Sequence, residues 1–216
     1  TITGLSADTY TVTILNNVSQ CSVSQKIVVG TQALPVVVTA RTTTDQTNCT
    51  PNGAASVDVV TLGGAASALA DYNFTWKDVD NATTLVNNVA GQNSISNLSA
   101  GAYTVTLTHA VTGCAQTLEF VVEEEITYPV ADITLVQADQ SCDPSTANGE
   151  LSVIVDNPSA PGYDISNYVI TWYEGSGVTG TNLGNTQSIS GLAAGPYTVE
   201  VLNSLTGCTS TAEITL

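Results

Sequence analysis

The most constraining feature of this sequence is a nine-residue string that recurs three times at nearly constant spacing. The copies read GLSADTYTV at 4–12, NLSAGAYTV at 97–105 and GLAAGPYTV at 191–199. Their tyrosines, Tyr10, Tyr103 and Tyr197, are 93 and 94 residues apart. A repeat of about 93 residues is too long for a solenoid unit and has the size of a small independent domain. The sequence therefore predicts tandem modules.

The upstream halves of the repeats also match, and this fixes the module boundaries. The string DQTNCTPNGAASVDV at 45–59 resembles DQSCDPSTANGELSVIV at 139–155. We therefore place complete modules at 35–124 and 129–216. Residues 1–30 match only the last two strands of such a module, and we expect them to belong to a third module that is cut within a longer array.

Alternation of apolar and polar residues indicates the secondary structure. In the first complete module, apolar residues occupy every second position in two runs, Tyr72, Phe74 and Trp76, and Tyr103, Val105 and Leu107. This period of two is typical of strands, and clusters of Gly, Asn, Asp and Pro separate the runs. The sequence predicts an all-β fold of tandem immunoglobulin-like or fibronectin-III-like β-sandwich modules.

Two aromatic positions support this prediction. A Leu and a Gly precede Tyr103 and Tyr197, as in a tyrosine corner, whose hydroxyl bonds to the backbone a few residues upstream. Tyr10 holds the same place in the first copy. Trp76 and Trp172 fall on the third strand, where immunoglobulin-like cores place a tryptophan. A sugar-stacking surface is the alternative for these aromatics, but they alternate in phase with core residues.

The odd number of cysteines, five, requires an explanation. In each complete module one cysteine precedes the second strand and another lies between the last two strands. We expect the disulfides Cys49–Cys114 and Cys142–Cys208, each joining loops at one pole of its sandwich, with Cys21 pairing outside this sequence. Five free thiols are the alternative. Disulfides imply an oxidising, extracellular location.

The charge balance restricts the partners of the chain. It has 19 acidic residues against 3 basic ones, a net charge of −16. Such a chain repels nucleic-acid phosphates and anionic lipid headgroups. No apolar run approaches the ~20 residues of a membrane-spanning helix. We therefore expect neither a nucleic-acid partner nor membrane insertion.

The sequence contains no recognisable catalytic motif, and we predict that the chain is not an enzyme. Its only histidine, His109, corresponds to Asn16 and Asn203 in the other copies, so a nucleophile there would lack its base. We also expect no cofactor.

One weak metal candidate remains in the sequence. Glu123, Glu124 and Glu125 lie between the two complete modules, where acidic tandem domains can bind calcium. A solubilising charge run is the alternative interpretation.

Longer strings of the sequence resemble a known family. Trp76 followed by NLSAGAYTVTLTHAVTGCAQ at 97–116, and Trp172 followed by GLAAGPYTVEVLNSLTGCTS at 191–210, are similar to the SprB repeat of Bacteroidetes gliding-motility adhesins and other giant surface proteins. The sequence departs from the family where an Asp usually precedes the Gly-Cys pair. The resemblance implies immunoglobulin-like modules in a secreted, surface-displayed chain, commonly exported by the type IX pathway.

These observations predict a structural stalk segment of a large secreted bacterial adhesin, displayed on the cell surface. Its expected partners are neighbouring modules of the same chain, with any surface or glycan ligand bound by other regions. Two alternatives remain open. The chain could be a subunit of an extracellular filament assembled by strand addition, or a spacer within a secreted modular enzyme.

Overall fold

A computed structural model describes residues 1–156 and 158–216. Its regular structure there consists of strands and three single-turn 3₁₀ helices, Leu69–Asp71, Pro144–Thr146 and Ile165–Asn167. Within these residues no helix has the length and apolarity needed to cross a membrane. The prediction of an all-β, immunoglobulin-like fold is confirmed.

The first segment is a hairpin that forms a separate two-stranded sheet. Strand β1 (Asp8–Leu15) pairs antiparallel with β2 (Ser22–Val29) along its whole length. A two-stranded hairpin is marginally stable at best in water, because it has no second layer against which to bury a face. The hairpin therefore has the structure of the last two strands of a sandwich.

The first complete module, residues 35–124, is a sandwich of two sheets. Its strands are β3 (Val36–Thr44), β4 (Gly53–Leu62), β5 (Ala65–Ser67), β6 (Tyr72–Asp78), β7 (Thr83–Ala90), β8 (Ser94–Leu98), β9 (Gly101–His109) and β10 (Ala115–Val122). In one sheet β4 pairs with β3, β5 and β8, and the other has the order β10-β9-β6-β7. This division matches the two sheets of an immunoglobulin fold, with β7 as an extra edge strand.

The second complete module, residues 129–216, repeats this arrangement. Its strands are β11 (Ala131–Gln137), β12 (Gly149–Val155), β13 (Tyr168–Glu174), β14 (Asn182–Gly184), β15 (Ser188–Leu192), β16 (Pro196–Asn203) and β17 (Cys208–Thr215). The sheets have the orders β11-β12-β15 and β14-β13-β16-β17. The pairs β9–β10 and β16–β17 correspond to the β1–β2 hairpin. They lie beside β6 and β13, the strands that carry the tryptophans.

Each complete module has its own hydrophobic core. The alternation along β9 buries Tyr103, Val105 and Leu107, and these pack with Trp76 in one cluster. Trp172 occupies the corresponding place in a separate second cluster. Since every second side chain of a strand points to the same face, the apolar residues that alternate in the sequence all face the core of their sandwich.

Strand direction places each loop at one of the two ends of its sandwich. We call the end where the first strand of a module begins its leading pole, and the end where that strand finishes its trailing pole. The parallel bridge between Gln46 and Glu124 shows that β3 and β10 both end at the trailing pole of the first complete module. Strand β9 runs antiparallel to β10, so the β9–β10 turn lies at the leading pole. The Ser210 hydroxyl donates to the Pro129 carbonyl (2.6 Å), which puts the starts of β11 and β17 at the leading pole of the second module.

Candidate functional site

The candidate site is the junction at which the trailing pole of the first complete module meets the leading pole of the second. A disulfide bond joins Cys49 to Cys208 across this junction, with Cα atoms 5.0 Å apart and a sequence separation of 159. Cys49 lies in the loop between β3 and β4, and Cys208 begins β17. The bond therefore links the two complete modules and closes no loop within either of them.

The predicted pairs Cys49–Cys114 and Cys142–Cys208 are wrong. In each pair one cysteine lies at the trailing pole and the other lies in a turn at the leading pole, on opposite ends of one sandwich. The nine residues of β9 separate these poles by about 30 Å at ~3.3 Å per residue. Disulfide geometry requires Cα atoms within about 7 Å. Cys21, Cys114 and Cys142 are free thiols in the structure.

A tight turn between β16 and β17 presents Cys208 to the junction. The Asn203 side-chain oxygen accepts hydrogen bonds from the backbone N–H groups of Leu205 (2.9 Å) and Thr206 (3.3 Å). The N–H of Gly207 donates to the Asn203 carbonyl at 2.8 Å, and Gly207 has a φ of +71°. Glycine adopts this left-handed conformation without the strain that a Cβ atom would add.

The two modules also meet through the backbone beside the disulfide. The Cys49 N–H donates to the Thr206 carbonyl at 2.9 Å. Thr50 packs over Gly207, where an added Cβ would lie only 3.3 Å from the Thr50 methyl group. The absent side chain at Gly207 thus makes room for the loop of the preceding module.

Gln46 organises the other side of the junction and is only 6% exposed. Its amide nitrogen donates to the Asn48 carbonyl and its amide oxygen accepts from the Ala100 N–H, both at 2.7 Å. Its backbone N–H donates to the Glu123 carbonyl (2.9 Å), and its carbonyl accepts from the Glu125 N–H (2.8 Å). One residue therefore connects the cysteine loop, the tyrosine-corner loop and the linker.

Asn52 and Gly53 shape the remainder of the cysteine loop. The Asn52 side-chain oxygen accepts from the backbone N–H groups of Thr47 (2.9 Å) and Asn48 (3.1 Å). A Cβ atom at Gly53 would lie 2.6 Å from a Val122 methyl group, so only glycine fits there. Gln46 was not predicted from the sequence to be a junction residue. The sequence feature that points to this position is the Asp-Gln pair at 45–46, which recurs at 139–140.

The acidic run takes part in the junction through its backbone. The Glu123 N–H donates to the Asp45 carboxylate at 3.0 Å. Glu124 forms the bridge to Gln46, and all three glutamates are exposed. Within residues 1–156 and 158–216, no group of three or more His, Cys, Asp or Glu residues has the arrangement of a metal site. Calcium binding by this run stays a prediction.

The three repeated tyrosines have the geometry of tyrosine corners. The hydroxyls of Tyr10, Tyr103 and Tyr197 each donate to the carbonyl four residues upstream, at 2.9, 2.8 and 2.7 Å. Trp76 and Trp172 are completely buried, and each indole N–H donates to a loop carbonyl at 2.9 Å. Because no ring face of either tryptophan reaches solvent, these residues do not form a sugar-stacking surface.

His109 closes a turn equivalent to the one before Cys208. Its Nδ1 accepts a hydrogen bond from the Thr112 N–H at 3.1 Å. Asn16 does the same for Val18 and Ser19 in the first hairpin. The histidine ring packs edge-on against Tyr72, and only 9% of the residue is exposed. His109 therefore serves the turn.

Comparison with known proteins gives similarity of structure only. No family model and no curated protein matches the chain. Among solved structures, three domains of the outer capsid protein Hoc of bacteriophage RB49 are similar at 16% identity with a TM-score of 0.37, covering 85% of this chain and 58% of that one. Domains 7–9 of the S-layer protein SbsC are similar at 11% identity and a TM-score of 0.36, covering 97% and 69%. The mouse nectin-like molecule 4 ectodomain gives 15% identity and a TM-score of 0.33, covering 90% and 68%.

The chain thus spans 58% of the length of the Hoc chain that it matches. Identities and TM-scores this low transfer no activity or ligand to the present chain. The assignment as tandem immunoglobulin-like modules follows from the strand order, the pairing and the two cores described above.

Proposed function

We propose that this chain is a stalk segment of a large secreted bacterial surface adhesin, similar to the SprB-repeat modules that its sequence resembles. The observation that carries the proposal is the Cys49–Cys208 bond, because it fastens successive modules end to end. A fastened junction turns a string of domains into a spacer of defined length. In this proposal the adhesive region lies elsewhere in the parent chain, and this segment projects it from the cell.

The surface properties of the chain support a role outside the cell. A disulfide persists in an oxidising compartment. The net charge of −16 keeps neighbouring stalks apart by mutual repulsion. Lys26, Arg41 and Lys77 are the only basic residues, so the 139 residues from 78 to 216 contain no site for a trypsin-like protease.

The test is to identify the parent chain on intact cells with an antibody raised against residues 129–216. We expect the antibody to label the surface of cells that have not been permeabilised. We also expect the denatured and reduced antigen to have a mass many times the 22.2 kDa of this chain. An antigen found only inside cells, or one of about this mass, would rule out the stalk.

The first hairpin favours a second candidate, a filament assembled by strand addition. Val12 and Ile14 are 41% and 65% exposed, whereas the equivalent Val105 and Leu107 are fully buried. The hairpin therefore presents a core face without a core, which the remaining strands of another subunit could cover. In this case a native antigen of about 22 kDa would assemble into polymers, and substitution of Ile14 by Asp would prevent assembly.

A further inference from the structure

The chain contains both halves of a second junction in an unjoined state. Cys142 corresponds to Cys49 at the trailing pole, and Cys114 corresponds to Cys208 at the leading pole. Cys49 and Cys208 are bonded to each other, while Cys142 and Cys114 are free. The bonded pair therefore shows what partner each free cysteine is placed to take.

We propose that the trailing pole of the second complete module is a docking site for a second copy of this chain. The first complete module of that copy docks with its leading pole, and a disulfide between Cys142 of one copy and Cys114 of the other closes the contact. The proposal deepens the stalk function and rests on it in one respect, namely that modules follow one another end to end.

The leading-pole turn of Cys114 has the same geometry as the engaged turn of Cys208. The N–H of Gly113 donates to the His109 carbonyl at 2.9 Å, as that of Gly207 donates to Asn203 at 2.8 Å. Gly113 has a φ of +70°, and the φ of Gly207 is +71°. Both cysteine N–H groups lie 3.4 Å from the hydroxyl of the threonine two residues earlier.

The space above Gly113 is also available for a partner loop. A Cβ atom added there would meet no atom within 4 Å, whereas one at Gly207 would touch Thr50 of the docked module. Cys114 is partly exposed, while the engaged Cys208 is completely buried. This turn therefore has the shape of the engaged one without its partner.

The trailing-pole loop of Cys142 is built between the same anchors as that of Cys49. The Asn148 side-chain oxygen accepts from the Gln140 N–H at 2.9 Å, as the Asn52 side-chain oxygen accepts from the Thr47 N–H at 2.9 Å. Gly149, like Gly53, lies against the end of the last strand, where a Cβ atom would meet Leu216 at 2.3 Å. Cys142 is exposed on this loop.

The hairpin at the start of the chain lacks one feature of the acceptor. Gln20 stands where the other turns have glycine, with a φ of +58°. Its amide nitrogen donates to the Asn17 carbonyl at 2.9 Å, and its Cβ atom stands where an added Cβ at Gly207 would lie 3.3 Å from Thr50. Cys142 should therefore select Cys114 over Cys21, although Cys21 is the more exposed of the two.

The chemistry of closure is an oxidation. The thiols of Cys142 and Cys114 lose two protons and two electrons and form one S–S bond. A disulfide oxidant, such as an oxidoreductase disulfide or oxidised glutathione, accepts both electrons and becomes two thiols. An extracellular or periplasmic compartment supplies oxidants of this class.

The test uses the whole 216-residue chain, concentrated in a buffer of reduced and oxidised glutathione. We expect disulfide-linked dimers and longer oligomers on non-reducing gels. Mass spectrometry of peptides produced by trypsin together with a Glu-specific protease, which place each cysteine on its own peptide, should show the Cys142–Cys114 linkage well above the other five pairings of the three free cysteines. Either Cys142→Ser or Cys114→Ser should abolish this linkage, and Cys21→Ser, the matched control, should leave it unchanged.

Two results would overturn the proposal. One is a statistical mixture of all pairings, which would mean that exposure alone decides the reaction. The other is a monomer that carries only glutathione adducts, with the Cys49–Cys208 bond intact. Both outcomes concern pairing alone, so they leave the antibody test of surface display independent.

Discussion

At the scale of single residues, the junction depends on positions that have little or no side chain. Gly207 combines a left-handed backbone with contact against Thr50, while Gly113 has the same backbone in open space. The two glycines therefore separate the conformational requirement of the turn from the steric requirement of docking.

This pair gives a matched test of the junction contact. Gly113→Ala should cost about 1 kcal/mol of module stability from backbone strain alone. Gly207→Ala should add a clash with Thr50 and so open the junction more often. We expect dithiothreitol to reduce the Cys49–Cys208 bond about fivefold faster in Gly207→Ala, as about 1 kcal/mol implies. Equal reduction rates in the two variants would show that Thr50 adjusts without cost.

A pH-dependent feature lies in the loop that carries Cys142. Backbone N–H groups of Ser141 (3.0 Å) and Asn148 (3.2 Å) donate to the Asp139 carboxylate and lower its pKa below the usual 3.8. A lowered pKa in the folded state means that the carboxylate stabilises the loop fully above 3.8 and loses this contribution as pH falls through the folded value.

We therefore expect the ¹³C NMR signal of the Asp139 carboxyl group to titrate with a midpoint below 3.8. The loop should keep its structure at pH 5 and loosen only in stronger acid. Asp139→Asn, which keeps the shape but not the charge, should remove this acid-dependent change. A midpoint at or above 3.8 would contradict the two hydrogen bonds.

At the scale of elements, the chain holds the same tyrosine corner in two settings. The Tyr103 hydroxyl bonds to Ser99 inside a packed module, and the Tyr10 hydroxyl bonds to Ser6 in the exposed hairpin. The hydrogen bonds have nearly the same length, so a difference in their effect on stability must come from the packing around them.

Tyr103→Phe should lower the free energy of unfolding of its module by about 1 kcal/mol, because a partly buried hydrogen bond to the Ser99 carbonyl is lost. Tyr10→Phe, with the same bond in an exposed hairpin, should have no measurable effect. Urea denaturation measures the first change by the fluorescence of Trp76 in the module core, and the second by circular dichroism, because the hairpin has no tryptophan. If the two changes had equal effects, the corner would be a local turn feature independent of the core.

Some strands could be predicted from the sequence and others could not. Alternation predicted the strands around Trp76 and Tyr103 because one face of each is buried. It could not reveal β7, an Asn- and Thr-rich strand with seven exposed residues of eight. That strand reverses the chain once more between Cys49 and Cys114. The number of strand passes decides at which pole a residue lies, so the pairing could not be read from repeat spacing alone.

The repeat itself had the same limit for the cysteines. Equal spacing shows that Cys49 corresponds to Cys142 and Cys114 to Cys208. A bond within each module and a bond from each module to the next are both compatible with this correspondence. Only the three-dimensional path of the strands distinguishes them. In contrast, the tyrosine corners and the buried tryptophans follow from local patterns and could be inferred directly.

At the scale of the whole molecule, the two complete modules have separate cores and one covalent connection besides the linker. Cys208→Ser should therefore leave both cores folded and free the junction to bend. We expect small-angle X-ray scattering to show a broader distribution of distances for this variant, with nearly unchanged denaturation of each module. Cys21→Ser, which removes a free thiol outside both junctions, is the control. Unfolding of either module in Cys208→Ser would mean that the bond supports a core.

The position of the Cys49–Cys208 bond has a mechanical consequence. Tension applied to the two ends of the chain passes from residue 49 to residue 208 through the sulfur atoms, and the residues between them carry none of it. The bonded cysteines are 159 positions apart, so about 550 Å of polypeptide is withheld from extension. Most of the two sandwiches therefore lies outside the load path. A pulled chain can lengthen only by releasing its terminal strands until a reductant cuts the bond.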